Sequence, residues 1–228
     1  MQELKQYYKQ RLPHIQPIGA TFFVTFRLHG SIHNSVIREL SRNYQQAISK
    51  AMIKYSNPRD TNSRKYYLKR RLVVSYDRIL DNREAGPRYL QEHKIAKICM
   101  REILKHNDQL YHLIACTIMS NHIHLLIDTS VQIPPDGQIS ANAENFTTLD
   151  QIMKKIKGSS AFYANKQLSR SGKFWGKESF DIYIRNEKML SNVIRYILQN
   201  PVKAGIVEKA SDFEHSYLSP EYGEMESY

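Results

Sequence analysis

Between Tyr111 and Thr129 two β-prone runs, Tyr111–Ile118 and His122–Thr129, are separated only by Met119-Ser120-Asn121. Two apolar, β-prone runs joined by a turn signal read as an antiparallel hairpin, and its richness in Ile and Leu places it centrally in a sheet. A strand alternates its side chains, so His122 and His124 point to one face and Ile123 and Leu125 to the other. Two imidazoles on one strand face can hold a divalent metal. Two histidines bonded to neighbours on a half-buried strand would look the same, so the pair needs support from elsewhere in the chain.

Other elements follow from local patterns. Thr21–Leu28 is β-branched and aromatic, bounded by Gly19 and Gly30, and reads as a strand. Helical periodicity runs from Asn34, a candidate cap, to about Tyr55, from Arg64 to about Leu80, and from Lys94 to about His106. Residues 1–19 read as an irregular arm, and Val131–Asn145 as a mobile loop. Thr148 or Asp150 caps a helix to about Leu168. Phe180–Ile184 is a short strand. A last helix runs from Glu187 to Asn200, where Pro201 is expected to end it. The segment after about residue 208 is mostly polar and reads as a loosely packed tail.

Charge narrows the partner. Lys+Arg exceed Asp+Glu by 33 to 22 in 228 residues, a formal +11, which favours a polyanion. Lys154, Lys155, Lys157, Lys166, Arg170, Lys173 and Lys177 fall in a stretch without an acidic residue, whereas solvated faces usually mix signs. A second cluster, Arg64-Lys65-Tyr66-Tyr67-Leu68-Lys69-Arg70-Arg71, could grip phosphates or be a solvated helix face. Candidate nucleic-acid contacts are Arg64, Arg70, Lys154, Lys155, Lys157 and Lys203. Trp175 either stacks on a base or anchors its loop to the core. Cys99 and Cys116 form no CxxC and read as buried filler in a reducing compartment. The N-terminus does not read as a secretory signal, and no run is long and apolar enough to span a bilayer, so a cytoplasmic protein with no membrane partner is expected.

On the last helix Tyr196 and Asn200 lie four apart, hence on one face. Two imidazoles and an amide oxygen would hold a hard or borderline ion with positions open for a phosphate oxygen. A phenol one turn from such a ligand could attack the phosphorus and form a phosphotyrosine link.

With these stretches together, the chain resembles the single-tyrosine HUH transposases of the IS200/IS605 type, and most closely the REP-associated tyrosine transposases. The resemblance rests on Thr21–Leu28, on Met119-Ser120-Asn121-His122-Ile123-His124-Leu125-Leu126, on Lys173-Phe174-Trp175 and on Arg195-Tyr196-Ile197-Leu198-Gln199-Asn200-Pro201-Val202-Lys203-Ala204-Gly205. It covers roughly residues 10 to 210. It implies an α+β, ferredoxin-like HUH core with a central antiparallel sheet, helices on its faces and a helical insertion after the first strand, over about 43–94. The whole chain, 1–228, would be one IS200-like domain. It implies His122 and His124 as ligands of Mg²⁺ or Mn²⁺, Asn200 where many relatives place a polar third ligand, and Tyr196 as nucleophile. The implied activity is cleavage and rejoining of single-stranded DNA at hairpin, REP-like sites through a 5′-phosphotyrosine, by a nucleoid-associated protein, with a monomer favoured over a homodimer. The alternative is a domesticated hairpin DNA- or RNA-binding protein with weak or lost catalysis. Outward-facing ligands would contribute little packing, so replacing them would leave the fold intact.

Overall fold

The computed structural model describes residues 5–9, 13–55, 57–81, 86–134 and 146–227. Two short strands, β1 (Lys5–Lys9) and β2 (Pro13–Pro17), pair antiparallel. The irregular arm expected over residues 1–19 is therefore a hairpin in its described part. Next come β3 (Thr21–Leu28), α1 (Asn34–Lys54), α2 (Pro58–Asp81), α3 (His93–Leu104), β4 (His112–Ile118), β5 (His122–Asp128), α4 (Leu149–Gln167), β6 (Trp175–Tyr183), α5 (Glu187–Lys203) and β7 (Ser216–Leu218). Most of the loop expected over 131–145 lies outside the described residues. Among the described residues no helix is long and apolar enough to cross a membrane.

The main sheet has the order β6-β3-β5-β4-β7, and every pairing is antiparallel. Without β7 this is the fourth-first-third-second order of a ferredoxin-like β-α-β-β-α-β core, as the sequence implied. The hairpin β4–β5 is central, and β5 pairs with β3 through Thr25↔His124 and Arg27↔His122. Phe22, Val24, Phe26, Ile123, Leu125 and Ile127 bury against α3 and α4 on one face. Phe23, Leu126, Phe180 and Ile182 bury against α1, α2 and α5 on the other. The sheet is thus covered on both sides, and β3 and β5 are buried along nearly their whole length. The α2/α5 face also carries Thr25, Thr117, His122 and His124, all fully or almost fully buried. Buried polar groups in the middle of a sheet need partners, and this line of them locates the site.

Several boundaries differ from the sequence reading for local reasons. The cap of α1 is His33, whose ring accepts from Ser35 N, not Asn34. α2 begins at Pro58 instead of Arg64, because Asn57 Oδ1 caps Arg59 N and proline suits a first helical position. Thr148 caps α4 in a capping box with Gln151. β6 starts at Trp175, five residues ahead of the expected Phe180. α5 does not stop at Asn200 but runs through Pro201 to Lys203. Ile206 N then bonds Pro201 O, and Gly205 takes a left-handed φ of 67°. The tail is not loose throughout: β7 pairs with Ala115, Cys116 and Thr117, covering the free edge of β4. The segment expected as a helical insertion, 43–94, holds the second half of α1, all of α2 and the start of α3.

Candidate functional site

The site forms where β5, β3, α5 and the C-terminal part of α2 meet. Asn121 sets its chemistry. Its amide nitrogen donates to Leu80 O at 3.1 Å, so its oxygen is the atom that meets His122 Nδ1 at 2.7 Å. His122 Nδ1 must therefore carry the proton, which leaves a lone pair on Nε2. His124 Nδ1 lies 2.9 Å from Thr25 Oγ1, and its Nε2 meets the Asn200 amide nitrogen at 3.1 Å. Donation by Asn200 requires a lone pair on that nitrogen too. The two Nε2 atoms are 3.0 Å apart. Burial pushes the His122 pKa down to about 3 and that of His124 well below its ordinary value, with His122 adding to the latter. Both rings are neutral at pH 7, with convergent lone pairs.

Such a pair repels unless something electrophilic sits between. Asn200 Oδ1 is buried and has no partner, one atom away from this cluster. Asp81 Oδ1 stands 3.7 Å from His122 Nε2, and burial raises its pKa to about 6. Two lone-pair nitrogens, an orphaned amide oxygen and a carboxylate suit a divalent cation, so the residues present fit the metal that the sequence implied. His122, His124 and Asn200 are brought together. Asp81 is an addition that sequence reasoning missed.

Tyr196 adjoins this cluster. Its ring meets His124 edge-on at 5.4 Å between centroids, and Phe23 edge-on at 5.9 Å. Its hydroxyl donates to Asp77 Oδ2 at 2.8 Å. Burial first, then the Asp77 carboxylate, raises the Tyr196 pKa well above its usual value. Burial also raises the Asp77 pKa to about 8; the Tyr196 and Thr25 hydroxyls pull it down, and Asp81 pushes it up. Asp77 Oδ1 nonetheless has no well-formed hydrogen bond. Asp77 was also missed. The signal was available: it lies on the apolar stripe Val73, Tyr76, Leu80 of α2, where an acid without a purpose is costly.

A cleft of about 460 Å³ opens beside Tyr196, between α2 and α5, with Asp77 and Phe23 in its wall and Arg70, Arg185 and Lys188 also lining it. Lys203 Nζ sits over the Tyr196 ring at 5.2 Å. Arg70 and Lys203 therefore border the site. Arg64 is exposed on α2, over the Tyr67 ring at 4.8 Å. Arg27, opposite His122 in register, is buried with Nε unpartnered, and sequence reasoning passed over it. Asp128 lies at the far end of β5 and binds Ser130 through both oxygens, so it takes no part.

The α4 lysines do not act alike. Lys155 is exposed, and Lys154 pairs with Asp150 at 2.7 Å. Lys157 is turned inward, donating to Gly176 O, Lys177 O and Ser179 Oγ, and burial pushes its pKa down to about 8. Trp175 is buried edge-on against Phe26 and Phe174, with its indole N–H on Ser160 Oγ, the position of a core anchor.

No family model matches the chain. Over 103 residues it is 31% identical to a Haemophilus influenzae protein named a REP-associated tyrosine transposase, covering 45% of this chain and 56% of that one. The match thus spans about half the length of that relative. A solved structure of a REP-associated tyrosine transposase bound to a REP hairpin aligns over 92% of this chain and 81% of that chain, with a TM-score of 0.46 and 16% identity.

Proposed function

We propose that the chain is a REP-associated tyrosine transposase of the single-tyrosine HUH type, which cleaves and rejoins single-stranded DNA beside a hairpin. The observation that carries this reading is the junction of the Tyr196–Asp77 hydrogen bond with the two convergent Nε2 lone pairs and Asn200. A relative similar over half its length bears that name, which supports the same class of substrate.

In this reading His122, His124 and Asn200 would hold Mg²⁺ or Mn²⁺, with Asp81 within reach. When bound, the ion would polarise the scissile phosphate and offset the charge that develops on it. The chain's own residues do the rest. Asp77, in the ionised form that gains ground as pH rises towards its raised pKa of about 8, takes the phenol proton as Tyr196 Oη bonds to phosphorus. The bond from phosphorus to the 3′ oxygen breaks, and that oxygen gains a proton from solvent. The DNA is left with a free 3′-OH and a 5′-phosphate on Tyr196. Attack by another 3′-OH reverses these steps, and Asp77 returns the proton to Tyr196. Arg70, Arg185, Lys188 and Lys203 draw the phosphodiester backbone to the cleft. Incubation of the full chain with a labelled hairpin carrying a single-stranded flank, in Mg²⁺ or Mn²⁺, should give an adduct that survives denaturing electrophoresis. No adduct with either metal would sink the reading.

Asp77→Asn separates chemistry from folding. Asparagine can keep the hydrogen bond but cannot take the proton, so cleavage should fall by roughly 10²–10⁴-fold with hairpin affinity unchanged. Stability should move the other way. The folded pKa of about 8 lies above the unfolded 3.8, so the contribution of Asp77 is full below pH 4 and is lost as pH rises through 8. The variant should gain Tm at pH 8 to 9, by roughly 2–4 °C for each kcal/mol relieved. A drop in Tm at that pH together with full cleavage would remove Asp77 from this role.

The α4 lysines make a second contrast. Lys155→Ala should lower the salt slope of single-strand binding by about 0.7. Lys157→Ala should leave the slope unchanged and lower Tm, because it strips Gly176 O and Lys177 O of their donor. Equal slopes and equal Tm in both variants would count against this division.

A further inference from the structure

A second cluster of ligand-type side chains lies on the outer side of the same hairpin. His93 opens α3, while Glu214 and His215 precede β7. His93 Nδ1 and Glu214 Oε1 are 2.7 Å apart, and His215 Nε2 lies 3.5 Å from the same oxygen. The three ligand atoms all lie within 4.8 Å of one another. The two imidazoles are 5.2 Å apart between centroids. Nothing in the cleavage reaction uses these residues.

An exposed His–Glu pair by itself is worth little. Here one carboxylate oxygen serves two imidazoles from segments far apart in sequence. His215 is held in place: its side chain is 13% exposed, its carbonyl accepts from Ile118 N at 3.0 Å, and Phe213 meets its ring edge-on. Zinc binds imidazole nitrogen at about 2.0–2.1 Å and carboxylate oxygen at about 2.0–2.2 Å, so tetrahedral ligand atoms sit about 3.3 Å apart. The observed separations bracket that value. Two nitrogens and one oxygen form a borderline donor set, which favours Zn²⁺ over Mg²⁺.

We propose that His93, Glu214 and His215, with a water in the fourth position, form a zinc site that staples the start of α3 to the segment entering β7. The staple would brace the turn that carries His122. Leu90 N, just before α3, donates to Ser120 O, and Ile118 N donates to His215 O, so the turn Met119–Asn121 and the residue that leads into it are both tied to segments next to this cluster.

The test uses the full chain stripped of metal. Titration with ZnCl₂ should load a zinc that is retained in His124→Gln and lost in His93→Ala/His215→Ala, whether or not the His122/His124 pair takes a second ion. At a hundredfold excess over Kd, zinc should raise Tm by roughly 5–10 °C. Glu214 is 63% exposed, so Glu214→Gln keeps the fold testable, and it should weaken zinc binding at least tenfold. Co²⁺ in place of zinc should show the intense visible bands of a four-coordinate site. Zinc uptake by His93→Ala/His215→Ala equal to that of the wild type would overturn the proposal, and so would loss of all uptake in folded His124→Gln. Binding only at millimolar zinc, with no Tm shift, would mean an adventitious ion only.

Discussion

Tyr196→Phe should abolish the covalent protein–DNA adduct and strand transfer while hairpin binding stays at the wild-type level. The substitution removes one oxygen and keeps the ring that packs edge-on against Phe23 and His124. It deletes the 2.8 Å hydrogen bond to Asp77, a change of about 0.5–1.5 kcal/mol in stability. The chain has fifteen tyrosines, so peptide mapping of the wild-type adduct is a demanding check. Tyr66 and Tyr183 are the nearest rivals in the fold, since Tyr66 lines the same cleft and bonds Tyr183 O. An adduct mapped to either, or one that persists in Tyr196→Phe, would overturn the assignment.

The second large effect concerns the histidines. His122→Ala and His124→Ala should each reduce cleavage to background in Mg²⁺ and Mn²⁺. The expectation that such changes spare the fold is corrected by the geometry, because both rings are buried, not outward-facing. Removing His124 empties a space stacked on Phe23 and strips Asn200 and Thr25 of a partner, which should cost about 2–4 kcal/mol. Loss of activity alone would therefore be ambiguous. His124→Gln keeps bulk and a hydrogen bond while misplacing the donor atom. It should fold with a Tm near wild type, lose Mn²⁺ binding read by paramagnetic resonance, and still bind hairpin DNA. Full cleavage by both alanine variants would remove the metal role from this pair.

The features legible in the sequence were those written in short periods. Alternation put His122 and His124 on one face, and a four-residue step put Tyr196 and Asn200 on another. Side chains arriving from far along the chain were not legible. Asp77 reaches Tyr196 across 119 residues, and Asn121 fixes the His122 tautomer only because Leu80 O holds its amide. Charge counting misjudged Lys157, because a one-sign run does not say which lysine faces inward. Proline's penalty was applied too strictly at Pro201: it forfeits its own N–H bond to Ile197 O, yet the helix continues for only two more residues, to Lys203. A three-residue strand such as β7 has too little sequence to show a period.

In the proposed reaction, α2 joins two properties that need not go together. It supplies Asp77 to the nucleophile and Asp81 to the histidine cluster, and it also forms one wall of the cleft that receives DNA. A shift of α2 by a single turn would exchange the proton acceptor and reshape the substrate channel at once. Sequence drift in this helix would then change the pH at which the protein works and the DNA it admits together. A laboratory chimera carrying a foreign α2 would inherit its donor's acidity profile along with its donor's target choice.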